Sequence, residues 1–413
     1  MLSINFIRNN PKKIKDAVSK KHMKLDVDRL LEVDEKRREY IQKIEELQAE
    51  KNKLGKEKRE KAKEIKKEIK KLKPKLDNIK EEYKKLMLQV PNIPDDSVPK
   101  GEDDSDNKEI KKVGEKPDFD FKPKSHIELL KLLNLADLER GSKVSGFRGY
   151  FLKNEAVLMV MALWKLAIGA LLDKDFEIFE APALVKEDGF LGTGWLPLNK
   201  KEVYKIEGED LYLAGTAEVP MMAYRQNEIL DSDDLPIKMA AISSCYRSEA
   251  GSYGKDTKGI YRLHEFRKIE QVILCKSDHE ESVKWHENIT KNSEELMQKL
   301  ELPYRVVANC GGDLGQGQVK KYDIEAWIPT QNRYGETHSS SYFHDFQTRR
   351  LKIRYRDEND EIKYVHSLNN TAIATPRILI QILENNQQKD GSVIIPKVLR
   401  KYMGGQKLIT PKK

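Results

Sequence analysis

Residues 245–272 read CYRSEAGSYGKDTKGIYRLHEFRKIEQV. A mostly apolar run, Met239-Ala240-Ala241-Ile242, precedes them, and a second strand-like run spans Ile260 to Leu274 with charges at intervals. Gly251, Gly254 and Gly259 allow a long loop between the two, so the pattern is that of a β-hairpin. Its charges set it apart. Arg247, Glu249, Glu265, Arg267 and Glu270 fall on strands expected to be half buried, where an unpaired charge is costly. Both signs so close together point to a pocket for a zwitterion or a phosphate. Phe266 and Glu270 share parity, so one regular strand can turn both to the same side.

Further along, Ala374-Thr375-Pro376-Arg377 leads into the apolar run Ile378 to Leu383. Thr375 suits an N-cap and Pro376 the first helical position. Arg377 then falls in the first turn, where the helix dipole disfavours a cation. An anion held between Arg377 and the free N–H groups removes that conflict. Glu325 and Glu336, in DIEAW and YGETHSSS, flank a turn, and hard carboxylate and hydroxyl oxygens suit Mg²⁺ bridging phosphates. His338 and His344 have no further ligands at zinc-site spacing. Neither GxxxxGK[ST] nor GxGxxG occurs, so no P-loop or Rossmann phosphate site is indicated.

Other strand-like segments, Phe176–Phe179, Leu211–Leu213, Ile324–Ile328 and Leu351–Tyr355, lie on both sides of the hairpin without regular βαβ alternation. An α+β fold is expected, with a mostly antiparallel sheet flanked by helices. The longest apolar run, Ala156 to Leu172, is short for a membrane span and carries Lys165. It is read as a buried or subunit-interface helix, with no membrane partner.

N-terminal to this body the periodicity changes. Leu30, Val33, Arg37, Tyr40, Ile44, Leu47, Lys51 and Leu54 alternate steps of three and four, with Arg37 and Lys51 as imperfect members. Ile65, Ile69, Leu72, Leu76, Ile79, Tyr83, Leu86 and Val90 repeat the pattern with apolar residues throughout. Two heptad runs meeting near residue 60 predict an antiparallel coiled-coil arm over about 28–90, each helix ~45 Å long at about 1.5 Å per residue. Pro74 is expected to kink the second helix or mark its start.

Of 413 residues, 35% are charged and the net charge is only +8. Yet Lys51–Lys75 holds twelve lysines and one arginine against four glutamates. That single segment accounts for the excess and points to a polyanion, such as a structured nucleic acid met through its phosphates. Pro91-Asn92-Ile93-Pro94 ends the arm. The expected organisation is an N-terminal nucleic-acid-binding domain over 1–100, an acidic linker over 101–118 and a catalytic domain over 119–413. Three scattered cysteines and an N-terminus without a signal-peptide pattern fit a cytoplasmic setting.

These motifs resemble a known family. Arg247-Ser248-Glu249 with the glycine loop and Phe266 is similar to motif 2 of class II aminoacyl-tRNA synthetases. Pro376-Arg377 is similar to motif 3, and the helix from Glu155 followed by FEIFEAPAL to the dimer-forming motif 1. Gly215-Thr216-Ala217-Glu218, the wording RSEAGSYGKDTKG and the arm narrow the resemblance to the seryl-tRNA synthetases over essentially the whole chain.

The resemblance implies ATP-dependent attachment of L-serine to tRNA(Ser), and also to tRNA(Sec), by a homodimer. By position it implies that Thr216, Ala217 and Glu218 line the serine pocket. Glu270 would take the ammonium, with Asn369 and Thr371 near the hydroxyl. Arg247 would hold the α-phosphate and serine carboxylate, beside Ser248, and Glu249 would read the adenine edge. Phe266 would stack on the base near the Leu263 backbone. The run Glu336, Thr337, His338 and Ser339 would meet ATP, with Glu336 and Ser339 holding Mg²⁺, and Arg377 would clamp the γ-phosphate. Two positions depart from the family pattern: His338 stands where a serine is usual, and Gly215 where proline is common. Rival readings are a ligase charging a carrier protein, which the basic arm disfavours, and a non-catalytic RNA-binding paralogue, which the intact charged set disfavours.

Overall fold

The computed structural model describes residues 1–54, 58–250 and 258–411. Gly251 and Gly254, expected in the hairpin loop, and residues 55–57 lie outside them. The chain forms two compact units, Met1–Ile93 and Pro94–Lys413.

The first unit is helical. Asp26 caps α1 (Val27–Lys53) by accepting the Arg29 N–H, and α2 (Arg59–Gln89) returns beside it. Ile44, Ile65, Ile69 and Leu76 are buried between them, with Tyr40, Leu47 and Leu72 packed alongside. Ion pairs Arg29–Glu82, Lys43–Glu68 and Lys61–Glu50 run in opposite directions along the two helices, which makes the pair antiparallel. Arg37 holds its place in the apolar stripe by laying its guanidinium 4.3 Å from the Tyr83 ring centroid. Pro74 neither starts nor ends α2 but lies inside it. At the base, Ile7 and Ile14 of two short leader helices pack with Leu30, Met87 and Val90.

The second unit is built on one eight-stranded sheet. Its strands in chain order are β1 (Lys108–Val113), β2 (Glu177–Glu180), β3 (Ile237–Tyr246), β4 (Glu265–Cys275), β5 (Tyr304–Ala308), β6 (Lys320–Ile328), β7 (Arg333–His344) and β8 (His366–Ala374). Their order across the sheet is β1-β5-β6-β7-β8-β4-β3-β2. Every neighbouring pair is antiparallel except β2 with β3. The expected linker over 101–118 therefore contains a strand: Lys108–Val113 pairs with β5 as the sheet edge. Its exposed, charge-rich sequence KEIKKV is how an edge strand avoids further pairing, and it mimics a linker for that reason.

Four helices of this unit matter for the site: α3 (His126–Leu132), α4 (Glu155–Leu172), α5 (His279–Lys299) and α6 (Thr375–Asn385). Helix α4 is long and apolar enough to cross a membrane by length and composition. Here Met159, Ala162, Leu163, Leu166 and Ala167 of α4 are buried in the main core. A polar seam ties α5 to one face of the sheet. Gln271 and Asn370 both donate to the Ile289 carbonyl, at 3.2 and 2.6 Å, and Ser293 donates to the Thr371 carbonyl at 2.8 Å. With that face covered, the opposite face of β4, β7 and β8 is left to line a cavity.

Candidate active site

Strand β4 places Phe266, Lys268 and Glu270 at alternate positions, and all three line this cavity. Glu265 and Arg267 turn the other way: Glu265 accepts the Tyr246 hydroxyl at 3.2 Å, and the Arg267 guanidinium sits 5.7 Å from the Trp164 ring centroid. Only part of the charge cluster thus enters the pocket. Lys268 was not among the expected residues, although its two-residue spacing from Phe266 and Glu270 is the signal that finds it. It is buried, and its ammonium donates to Glu270 and, at 3.3 Å, to Thr371 Oγ1. The Thr371 hydroxyl donates to Glu270 at 3.0 Å.

Two β-bulges arrange the rest. Between β4 and β8 the register shifts so that Ile269 faces Ile373 while Glu270 faces Thr371, leaving Ala372 as the extra residue. Cavity-lining positions on this segment accordingly change parity, from Asn369 and Thr371 to Ala374 and Pro376. Between β6 and β7, Ile324 faces His338 and Glu325 faces Glu336, so Thr337 is extra. Glu336 and Ser339 are three residues apart and on a regular strand would face opposite sides; the bulge brings both to the cavity.

The same bulge keeps His338 out of the cavity lining. Its ring is buried, with Nδ1 2.8 Å from Thr337 Oγ1, and burial lowers its pKa to about 4, so it is neutral near pH 7. Glu325 is likewise outside, paired with Arg305 at 2.6 Å. Ala217 is wholly buried in a core cluster, and Ser248, also off the lining, donates its hydroxyl to the Lys201 carbonyl. Thr216, Glu218, Arg247, Glu249, Leu263, Phe266, Glu270, Glu336, Thr337, Ser339, Asn369, Thr371 and Arg377 do converge on the cavity, joined by Trp195, Tyr261 and Gln318.

At the end of the cavity remote from Glu270, Arg247 donates through Nε to the Gly215 carbonyl at 3.2 Å, with its guanidinium 5.3 Å from the Phe266 ring centroid. Arg377 donates to the Tyr261 and Glu336 carbonyls at 3.3 and 3.0 Å and pairs with the Glu336 carboxylate at 3.3 Å. Against burial, which pushes it up, the charges of Arg377, Lys321 and Arg247 hold the Glu336 carboxyl well below the usual range. Helix α6 begins at Thr375 with Ala374 as its N-cap, so Thr375 is not the cap. Its hydroxyl instead accepts the Trp164 indole N–H of α4 at 2.8 Å. That leaves the first-turn N–H groups of α6 without a side-chain cap, beside Arg377.

Glu218 accepts the Gln347 amide at 2.5 Å, and burial, aided by the Glu270 charge, pushes its carboxyl up to about 7. Because the ordinary value is 4.5, the folded state binds more protons than the unfolded one between the two values. This contribution to stability is full below the lower value and is lost as pH rises through the upper one. Glu218→Gln removes it. The melting temperature of the wild type should fall relative to that of Glu218→Gln as pH rises through this window; parallel curves would show that Glu218 is not the group responsible.

An antiparallel sheet with a cavity lined by an arginine just past a hairpin strand and an arginine in the first turn of the helix after the last strand of the sheet is the architecture of a class II aminoacyl-tRNA synthetase. Residues 202–386 match the class II core domain of tRNA synthetases (G, H, P, S and T), and residues 1–94 match the seryl-tRNA synthetase N-terminal domain. The chain is 44% identical to the serine–tRNA ligase of Deinococcus radiodurans, with 99% of each chain covered. It is 42% identical to that of Nitrosopumilus maritimus, covering 99% of this chain and 100% of the relative. Among solved structures, the seryl-tRNA synthetase of Pyrococcus horikoshii complexed with ATP superposes with a TM-score of 0.92 at 41% identity over all of both chains. The cytoplasmic serine–tRNA ligase of Naegleria fowleri in complex with AMP gives 0.89 at 34%, over 100% of this chain and 99% of that one. This chain belongs to the seryl-tRNA synthetase family.

Proposed function

We propose that the cavity joins L-serine to ATP as seryl-adenylate and passes the seryl group to tRNA(Ser). The observation that carries this reading is that one cavity has two chemically distinct ends. One end holds the buried Glu270, Lys268 and Thr371 cluster; the other holds Arg247, Arg377 and Phe266. Glu270 accepts the serine ammonium, and Thr371 with Asn369 meets the hydroxyl, beside Thr216 and Glu218. Phe266 stacks on adenine near the Leu263 backbone, and Glu249, itself held by Arg262 at 2.8 Å, reads the adenine edge. Arg247 bridges the α-phosphate and the serine carboxylate, and Arg377 takes the γ-phosphate.

A serine carboxylate oxygen attacks the α-phosphorus in line, and the bond to the β-phosphate oxygen breaks to release pyrophosphate. The terminal ribose hydroxyl of the tRNA then attacks the seryl carbonyl, and AMP leaves. Neither step needs a dedicated acid or base; positioning and charge stabilisation by the two arginines carry the rate. Glu336 and Ser339, brought to one face by the bulge, supply hard oxygens fit for Mg²⁺. Among the described residues no group of three or more His, Cys, Asp or Glu could hold a metal ion by itself, and Glu336 and Ser339 would hold Mg²⁺ together with the bound nucleotide. Mg²⁺ would neutralise phosphate charge there.

Serine-dependent ATP–pyrophosphate exchange by the purified chain with Mg²⁺ tests the reading. Exchange with serine and not with alanine is expected, since polar groups built for a hydroxyl are left unpaired by the analogue lacking it. No exchange would remove the enzymatic reading.

The arm is proposed to hold the tRNA by shape and phosphate charge, with Met1–Ile93 as the tRNA-binding domain and Pro94–Lys413 as the catalytic domain. Lys63, Lys66, Lys67, Lys70, Lys71 and Lys73 are all exposed on α2. Changing Lys66, Lys67, Lys70 and Lys71 to glutamine should leave exchange intact. It should raise KM for tRNA about tenfold and flatten its dependence on salt by about 0.7 per lost phosphate contact. Unchanged tRNA charging would show that the polyanion does not meet this helix.

A homodimer is supported by Val157, Leu158 and Met161, which face outward on α4 while its other side is buried. Cytoplasmic location and serylation of tRNA(Sec) are further parts of this reading, carried by the family resemblance.

A further inference from the structure

Two buried residues with no part in the reaction above, His126 and Glu384, meet outside the cavity lining. Glu384 lies on α6 seven residues after Arg377, on the same face and about 10 Å further along. Its Oε1 accepts the backbone N–H of His126 at 2.8 Å and lies 2.9 Å from His126 Nδ1. Its Oε2 accepts the N–H and hydroxyl of Thr330 at 3.3 and 2.6 Å. An acceptor-only carboxylate facing Nδ1 places the imidazole proton there.

The other ring nitrogen, Nε2, is buried without a hydrogen-bond partner among the described residues. It abuts Gly259, where φ is +80° and a Cβ would stand 2.2 Å from Nε2. Gly259 precedes Ile260 and Tyr261, both in the cavity wall. Tyr261 receives Arg377 Nε on its carbonyl at 3.3 Å and donates its hydroxyl to the Glu336 carbonyl at 3.1 Å. The segment is therefore fastened to α6 twice, once through Tyr261 and Arg377 and once through His126 and Glu384. Lys124 and Gln387 reinforce the second fastening with reciprocal hydrogen bonds of 2.7 and 2.9 Å.

We propose that His126 and Glu384 are positioning residues for ATP, seating Gly259 so that Tyr261 and Arg377 stand correctly for the nucleotide. The inference rests on the reading of the cavity as the ATP site. A half-buried glycine at positive φ against an imidazole tolerates no added carbon on either side, so small changes at residue 126 or 259 are transmitted along two or three residues of backbone to the phosphate end. The serine end, built on β4 and β8, is not in this path.

The test uses the full-length enzyme and ATP–pyrophosphate exchange, with ATP and serine varied separately. Wild-type exchange is established first, so a failure of the ATP-site reading appears there and not in the variants. His126→Ala should raise KM for ATP about tenfold with KM for serine within about twofold. His126→Asn, whose amide reproduces the Nδ1 donor to Glu384, should regain most of that loss. Gly259→Ala should lower kcat/KM for ATP about thirtyfold, and its cycle with His126→Asn should be non-additive, because the shorter side chain lacks the atom the new methyl meets. The strain of positive φ is common to both arms of the cycle and cancels. Equal losses for His126→Ala and His126→Asn would overturn the proposal. So would equal effects on ATP and serine, an additive cycle, or losses that follow the melting temperature with KM unchanged.

Discussion

Replacing Arg247 with alanine is expected to lower kcat for serine-dependent pyrophosphate exchange about a thousandfold, the scale on which preorganised cationic donors act on phosphoryl transfer. Arg247 lines the cavity with Phe266 and Arg377, and its hydrogen bond within the protein goes to the Gly215 carbonyl at 3.2 Å. Its loss therefore removes charge from the reacting centre at little cost to folding, and the melting temperature should move by only about 4 °C or less. Arg247→Lys keeps a charge but not the planar fork, and is expected to recover no more than about tenfold. Active-site-normalised exchange at saturating ATP and serine is the measurement. A defect confined to KM would mean that Arg247 binds substrate without stabilising the transition state.

The second large effect is expected at Glu270. Glu270→Gln should raise KM for serine about a hundredfold while KM for ATP stays within about threefold, because a charge-assisted hydrogen bond to the ammonium becomes a neutral one at a buried side chain. The alanine variant is a different experiment. Glu270 carries the charge that compensates the buried Lys268, and removing it leaves an ammonium facing Thr371 alone. Breaking a buried pair from one side costs about 3–5 kcal/mol, so Glu270→Ala should unfold at visibly lower temperature and Glu270→Gln much less so. Isothermal titration with serine and thermal melts separate the two. If Glu270→Gln binds serine normally, the ammonium lies elsewhere and the assignment of the two ends is wrong.

Both expectations depend on a charge balance that was only half visible in the sequence. Five charges on a hairpin signalled a pocket, yet Glu265 and Arg267 face away from it, and Lys268, overlooked among its neighbours, faces in. The remedy was available: counting in twos from Phe266 selects Lys268 and Glu270 and rejects Glu265 and Arg267. The heptads of α1 and α2 were more direct, since a repeat of three and four residues states which side of each helix must be covered, and the structure covers that side. The edge strand β1 was not legible, because an unpaired edge is protected by the same charges that mark a linker.

What the sequence determined by itself was the architecture and most of the residue types at the site: a coiled-coil arm, a largely antiparallel sheet flanked by helices, and the charged set of the seryl-tRNA synthetase family. These follow from periodicity and from ordered motifs, which are local along the chain. What only the tertiary structure decided was which side of each strand those residues take. Ala372 and Thr337 are single extra residues opposite a neighbouring strand, and a bulge exists only as a mismatch between two strands that lie far apart in sequence. Through Thr337 the mismatch brings Glu336 and Ser339 together and turns His338 away from the cavity, which is why a histidine can occupy that position without entering the chemistry. Gly259 against His126 belongs to the same class of fact: a contact between residues 133 positions apart that packing reveals.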